Sequence, residues 1–140
     1  MTLEEEIYNK VEKLCNEADK HVLICEFDQA IEKYNEALEL FQGDIEEYEE
    51  SIMIYAAIGD AYCLAGEYKR ARNYFYNALD CSNGIANPYI LFRLGECLYE
   101  CDEKYKAQEY FIRTYMMDGL NLFEKNDKKY LDLIKLMIDK

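Results

Sequence analysis

The chain has 140 residues, 51% of them apolar and 32% charged, with a single proline. That is one domain's worth of ordinary globular composition, and so few breakers favour helices over a turn-rich β fold. A formal net charge of −13 repels phosphate backbones and anionic lipid, which excludes nucleic acid and membrane surfaces as partners and favours a basic or apolar polypeptide. The same charge also suits a small protein kept soluble.

The start, Met1-Thr-Leu-Glu-Glu-Glu, has neither the basic residues nor the apolar stretch of a secretory signal. No apolar run approaches the roughly 18 residues that a membrane span needs. A cytoplasmic protein is therefore expected. The six cysteines, Cys15, Cys25, Cys63, Cys81, Cys97 and Cys101, scatter through helical patterns and read as reduced, mostly buried small hydrophobes.

Apolar residues recur at helical spacing almost throughout. Leu3, Ile7, Val11, Leu14, Ala18 and Val22 predict a helix over about 3–24. Phe27, Ala30, Ile31, Tyr34, Ala37, Leu38 and Phe41 predict a second to about residue 42, ended by Gly43. Asp44 is the expected cap of a long third helix over about 45–65. Gly66 makes a tight turn, and Tyr68, Ala71, Phe75, Ala78 and Leu79 carry a fourth helix to about residue 81. The stretch 82–88 reads as a loop, with Pro88 suited to a helix start. A third pair follows over about 88–101 and 104–117, with Asp102 at its turn. After a short segment around Gly119–Phe123, Asn126 or Asp127 caps a last helix over about 126–139, whose Lys128, Lys129, Lys135 and Lys140 are expected to face water.

One pattern occurs three times. A small residue (Ala18, Gly59, Gly95) is followed twelve residues later by alanine (Ala30, Ala71, Ala107) and then, four further on, by an aromatic (Tyr34, Phe75, Phe111). The copies are 41 and 36 residues apart, a period that signals stacked repeats. The longer interval exceeds a 34-residue unit by seven, about two helical turns. The extra residues, Ile45 to about Ser51, are therefore placed at the start of the third helix.

These residues resemble the tetratricopeptide repeat, a helix–turn–helix with Leu-Gly-x-x-Tyr in its first helix and Ala–aromatic–Ala in its second. The middle copy matches best, through Tyr55, Ile58, Gly59, Tyr62, Gly66, Tyr68, Ala71, Phe75 and Ala78. The third has Leu91, Leu94, Gly95, Leu98, Ala107 and Phe111, with Thr114 in place of the last alanine. The first has Leu14, Ala18, His21, Phe27, Ala30, Tyr34 and Ala37. All three lack the closing proline. The resemblance implies an all-α fold: a right-handed α-solenoid of antiparallel helix pairs, about seven helices in one domain over 1–140. The repeats would span about 11–43, 45–85 and 88–121, with the helix at 126–139 as a cap.

It also implies that the first helix of each pair lines a hollow side. There it would present Glu12, Cys15, Asn16, Asp19 and Val22, then Met53, Ala56, Ala57, Asp60 and Cys63, then Tyr89, Phe92, Arg93, Glu96 and Tyr99. Equivalent sites hold acids (Asp19, Asp60, Glu96) among apolar and aromatic neighbours, which suits a peptide or helix with basic and apolar faces. The competing reading is a solvated acidic face, with Arg93 neutralising Glu96. The partner-binding residues are expected to be Asp19, Met53, Asp60, Tyr89, Phe92, Arg93, Glu96 and Tyr99.

Some relatives grip an anionic chaperone tail through Lys and Asn at the positions held here by Cys15, Asp19, Ala57 and Tyr89. Only Arg93 agrees, so that role is rejected.

Little points to chemistry. His21 falls where the repeat wants a packed aromatic, and reads as a core histidine with no paired nucleophile. Cys97 and Cys101 share a helix face but do not complete a metal site. The run Glu46, Glu47, Glu49 and Glu50 is a charged helix face, not a glycosidase pair. Phosphate loops and dinucleotide turns are absent. The expectation is a non-enzymatic protein-interaction module without cofactor or metal. Its Lys, Asn, Ile and Tyr usage hints at a bacterium. The alternative is an acidic immunity or inhibitor protein that neutralises a basic toxin or nuclease.

Overall fold

The structure, a computed structural model, describes residues 3–81 and 87–138. They form eight α-helices: α1 (Glu5–Leu23), α2 (Phe27–Leu38), α3 (Glu49–Leu64), α4 (Tyr68–Asp80), α5 (Pro88–Glu100), α6 (Lys104–Asp118), the single turn α7 (Asn121–Glu124) and α8 (Lys128–Ile138). The fold is all-α, as expected. Packing gathers the chain into two compact units, Met1–Gly84 and Ile85–Lys140. Most of the expected loop, and the end of the last helix with Lys140, lie outside the described residues.

Each repeat pair closes through one turn, built three times. Cys25, Gly66 and Asp102 sit at φ 60°, 78° and 63°, the left-handed region that lets a chain leave a helix and re-enter another. The next residue is a glutamate each time. The amide N–H groups of Glu26, Glu67 and Glu103 donate back to the carbonyls of His21, Tyr62 and Leu98, all at 2.8 Å. Their own carbonyls accept from the amides of Ala30, Ala71 and Ala107. Orphan groups at both helix ends are thereby satisfied without a proline.

The repeated residues are the packing contact. Ala30, Ala71 and Ala107 are fully buried, as are Phe75 and Phe111. A Cβ placed on Gly59 would stand 2.7 Å from the Phe75 ring, and one on Gly95 would stand 2.7 Å from Phe111. In these two pairs glycine is therefore what lets the first helix lie against its partner's aromatic ring; the first pair has Ala18 at this position. In the first unit α3 lies against both α2 and α4. Its Ser51, Ile52, Ile54, Ala56, Ile58, Ala61 and Cys63 are all buried, so it is apolar around most of its circumference. In the second unit Phe92, Phe111, Phe123 and Tyr130 form a ring cluster with centroids 5.1–6.0 Å apart. Each fully buried ring contributes roughly 1.5–3 kcal/mol.

Several expectations are corrected. The extra residues of the first interval do not lengthen a helix. They form a 3-10 turn, Ile45–Glu47, and an extended Tyr48, and α3 begins at Glu49. The cause is an aromatic clamp: Tyr48 packs edge-on against Phe41 at 5.1 Å, and its hydroxyl donates to the Gln42 carbonyl at 2.8 Å. The Ser51 hydroxyl then donates to the Tyr48 carbonyl at 2.6 Å, holding the break. The second helix stops at Leu38, where the next amides turn to nearer carbonyls, and Gly43, at φ 76°, serves the loop instead. Asp44 caps nothing through its side chain. Of the two residues expected to cap the last helix, Asp127 does so, accepting from the Lys129 amide ahead of α8. Asn87, not among the expected caps, caps α5 by accepting from the amides of Tyr89 and Ile90. Cys25, at a turn tip, is exposed. Lys129 does not simply face water, because it pairs with Glu100 at 2.7 Å.

Candidate functional site

In the first unit, α1, α2 and α3 enclose an open hollow of about 420 Å³. Val22, Leu23, Ala57, Ala61 and Leu64 make its walls apolar, and Asp19, Asp60 and Tyr34 are its polar groups. Spacing explains the arrangement. Ala57, Asp60, Ala61 and Leu64 stand at i, i+3, i+4 and i+7 on α3, one face of a helix. Asp19, Val22 and Leu23 repeat the same offsets on α1.

Tyr34 sets the chemistry. It occupies the site of Phe75 and Phe111 in the other copies, and is as buried. Its additional hydroxyl donates to Asp19 Oδ1. Burial, then this bond and the nearby charges of Asp19, Cys15 and Asp60, push its ionisation well above the usual tyrosine range. Tyr34 therefore stays a proton donor, orienting one carboxylate of the hollow. Burial, reinforced by Asp19, likewise raises the Cys15 thiol to about 11, so it stays a neutral thiol near pH 7. Met53 is 66% exposed on α3 but is not among the hollow's walls. Ala56 and Cys63, expected on the same face, are buried.

The second unit departs further from expectation. Phe92 is completely buried among Phe111, Phe123 and Tyr130, so it is core, not binding surface. Glu96 is also buried, and accepts from Arg93 Nη1 at 2.6 Å. The threefold acidic series thus reduces to Asp19 and Asp60. Tyr89 remains accessible, with the Arg93 guanidinium 6.0 Å from its ring centroid. Tyr99 is covered by α8: it meets Tyr130 edge-on at 5.3 Å, and Lys129 Nζ lies 5.4 Å from its ring. Glu100 Oε1 accepts from both Lys129 Nζ (2.7 Å) and the Tyr130 hydroxyl (2.9 Å). A helix with basic and apolar faces does sit on α5, and it is the chain's own. The signal was in the sequence, in the alternation of Lys129 and Tyr130 with Ile134.

His21 is half-buried, not core, and its Nδ1 lies 2.8 Å from Glu26 Oε1. Among the described residues no group of three or more His, Cys, Asp or Glu side chains is arranged to hold a metal. No helix among them is long and apolar enough to cross a membrane.

Comparison with solved structures places this architecture. The type III secretion chaperone SycD of Yersinia enterocolitica, solved with a peptide of the translocator YopD, is 16% identical, with a TM-score of 0.73 over 92% of this chain and 95% of its own. The first TPR of Spaghetti (RPAP3), solved bound to the HSP90 peptide SRMEEVD, is 13% identical, with a TM-score of 0.70 over 92% and 94%. The fold is that of tetratricopeptide-repeat proteins. YrrB, a TPR protein with an unusual peptide-binding site, is 24% identical, with a TM-score of 0.62 over 81% of this chain and 58% of that one. No protein-family model matches the sequence, and no curated protein does.

Proposed function

We propose that this TPR-like chain is a non-enzymatic, cytoplasmic interaction module, free of metal and cofactor. It takes a peptide or helix with basic and apolar faces in the hollow that α1, α2 and α3 enclose. One observation carries the reading: the hollow of the first unit joins apolar walls to two carboxylates, Asp19 and Asp60. A lysine or arginine stem fits such walls while its head meets the acids. Charge distribution supports it. Residues 1–84 carry nineteen acidic and seven basic side chains, against ten and nine in residues 85–140. Met53 in the first unit, and Tyr89 and Arg93 in the second, remain candidate contacts, each within its own unit, whereas Tyr99 is covered by α8. Solved neighbours bound to peptides make a peptide partner natural. The anionic SRMEEVD type is disfavoured here, because Asp19 and Asp60 stand where it would bring carboxylates.

The test is fluorescence anisotropy with labelled amphipathic Lys/Arg peptides against the whole chain. Asp19→Lys and Asp60→Lys should each weaken binding about tenfold or more, a loss typical of a desolvated charge pair. Undiminished binding by both variants, or preference for acidic peptides, sinks the reading. Nanomolar binding to a whole basic nuclease that collapses with added salt, while free peptides fail to bind, would favour the inhibitor alternative that the same charge supports.

A further inference from the structure

A stack of helices must end on a face that tolerates water, so terminal elements are polar outside. The end of the second unit breaks this rule. Tyr105 is 91% exposed, Met116 78%, Leu136 83% and Met137 50%. Tyr105, Ile112 and Met116 fall at i, i+7 and i+11 on α6, a single stripe. Tyr105, Gln108, Glu109, Ile112 and Arg113 of α6, with Met137 of α8, line a groove of about 410 Å³. The Gln108 side-chain amide donates to the Leu133 carbonyl at 3.2 Å, which ties the two helices and fixes the groove. Contiguous exposed apolar side chains with a charged rim mark an interaction surface.

We propose that this α6–α8 face is the interface of a homodimer, built with a second copy of the chain about a twofold axis that crosses α6 at the level of residue 111. Charge selects the occupant. Residues 1–84 carry a formal net charge of −12 and residues 85–140 only −1, so the second unit is where two copies approach without concentrating like charge. The stripe is also complementary to itself. Glu109 and Arg113 are one turn apart, of opposite sign, and already paired at 2.7 Å. Run antiparallel, α6 against α6 sets Glu109 beside the partner's Arg113 twice over and Tyr105 beside the partner's Met116. This is the isologous pairing that a twofold axis requires. The charged residues that line the groove, Glu109 and Arg113, cancel, so the groove itself offers no net charge to recruit a strongly acidic or basic partner.

Sedimentation equilibrium on the whole chain over a range of concentrations tests this. The limiting mass should be twice 16.6 kDa. Tyr105→Lys and Met116→Glu alter exposed side chains and should leave the circular dichroism spectrum unchanged. Each should raise the dimer dissociation constant about tenfold or more. Glu109→Arg and Arg113→Glu should each weaken the dimer, and the double exchange should restore it. A chain that stays monomeric at every concentration overturns the proposal and leaves the face to a partner of another sequence. A dimer indifferent to all four substitutions overturns it as well.

Discussion

Gly59→Ala tests the packing rule most sharply, because two effects of known size oppose each other. Alanine is a better helix former than glycine by about 1 kcal/mol, so an exposed site would gain stability. Here the new methyl would stand 2.7 Å from two carbons of the Phe75 ring, well inside the roughly 3.5–4.0 Å of an unstrained carbon contact. The ring is fully buried and cannot swing into solvent. Overpacking of this kind costs about 1–3 kcal/mol, and the upper end applies because a rigid ring must yield. Subtracting the helix gain leaves a net loss of about 2 kcal/mol. The assay is urea denaturation followed by helical circular dichroism. Phe75→Leu removes the obstructing ring edge, so Gly59→Ala should cost less in that background than alone, a coupling visible in a double-mutant cycle. Ala18→Gly, the reverse change in the first copy, should also destabilise, by about 1 kcal/mol. Gly59→Ala as stable as the parent, or additive with Phe75→Leu, would refute the reasoning.

Three further outcomes follow from the structure. Cys25→Gly and Asp102→Gly relieve side chains held at φ 60° and 63° and should each raise stability by about 0.5–1 kcal/mol, whereas Gly66→Ala should lower it by about 1 kcal/mol; thermal unfolding reads all three. The Cys15 thiol, raised to about 11, should alkylate with iodoacetamide far more slowly near pH 8.5 than exposed Cys25, as mass spectrometry of the two peptides would show. Because unfolding returns Cys15 to an ordinary thiol, its contribution to stability is whole below pH 9 and shrinks as pH rises toward 11, so Cys15→Ser should flatten stability over that window. Tyr130→Ala removes the ring that α8 sets against Phe92, Tyr99 and Phe111; it should cost about 3–5 kcal/mol and speed hydrogen exchange along α8.

The helix pairs were legible because their signal is periodic and local: alanine and aromatic at fixed offsets can be read without knowing the fold. What could not be read was long-range. The break before α3 depends on Tyr48 reaching back to Phe41 and Gln42, and no propensity marks that pair. Asp19 and Asp60 were set on the hollow side by the tetratricopeptide resemblance; helical spacing then groups each with its neighbours on one face. Phe92 could not be assigned to core or surface, since its burial depends on Phe123 and Tyr130 returning from the chain's end. Glu96 looked like a third acidic rung, yet Arg93 one turn earlier already carried the warning. Cys25 gave no glycine-like signal, although the glutamate that follows it recurs at Glu67 and Glu103.

The central claim is that the Asp19–Asp60 hollow receives a cationic, apolar partner. Its most direct test is a nitrogen–proton NMR titration of the whole chain with an amphipathic Lys/Arg peptide. The shifts should concentrate at Val22, Leu23, Ala57, Asp60, Ala61 and Leu64 and vanish in the Asp19→Lys, Asp60→Lys double variant. Shifts confined to other surfaces, or a full set retained by that variant, would contradict the account.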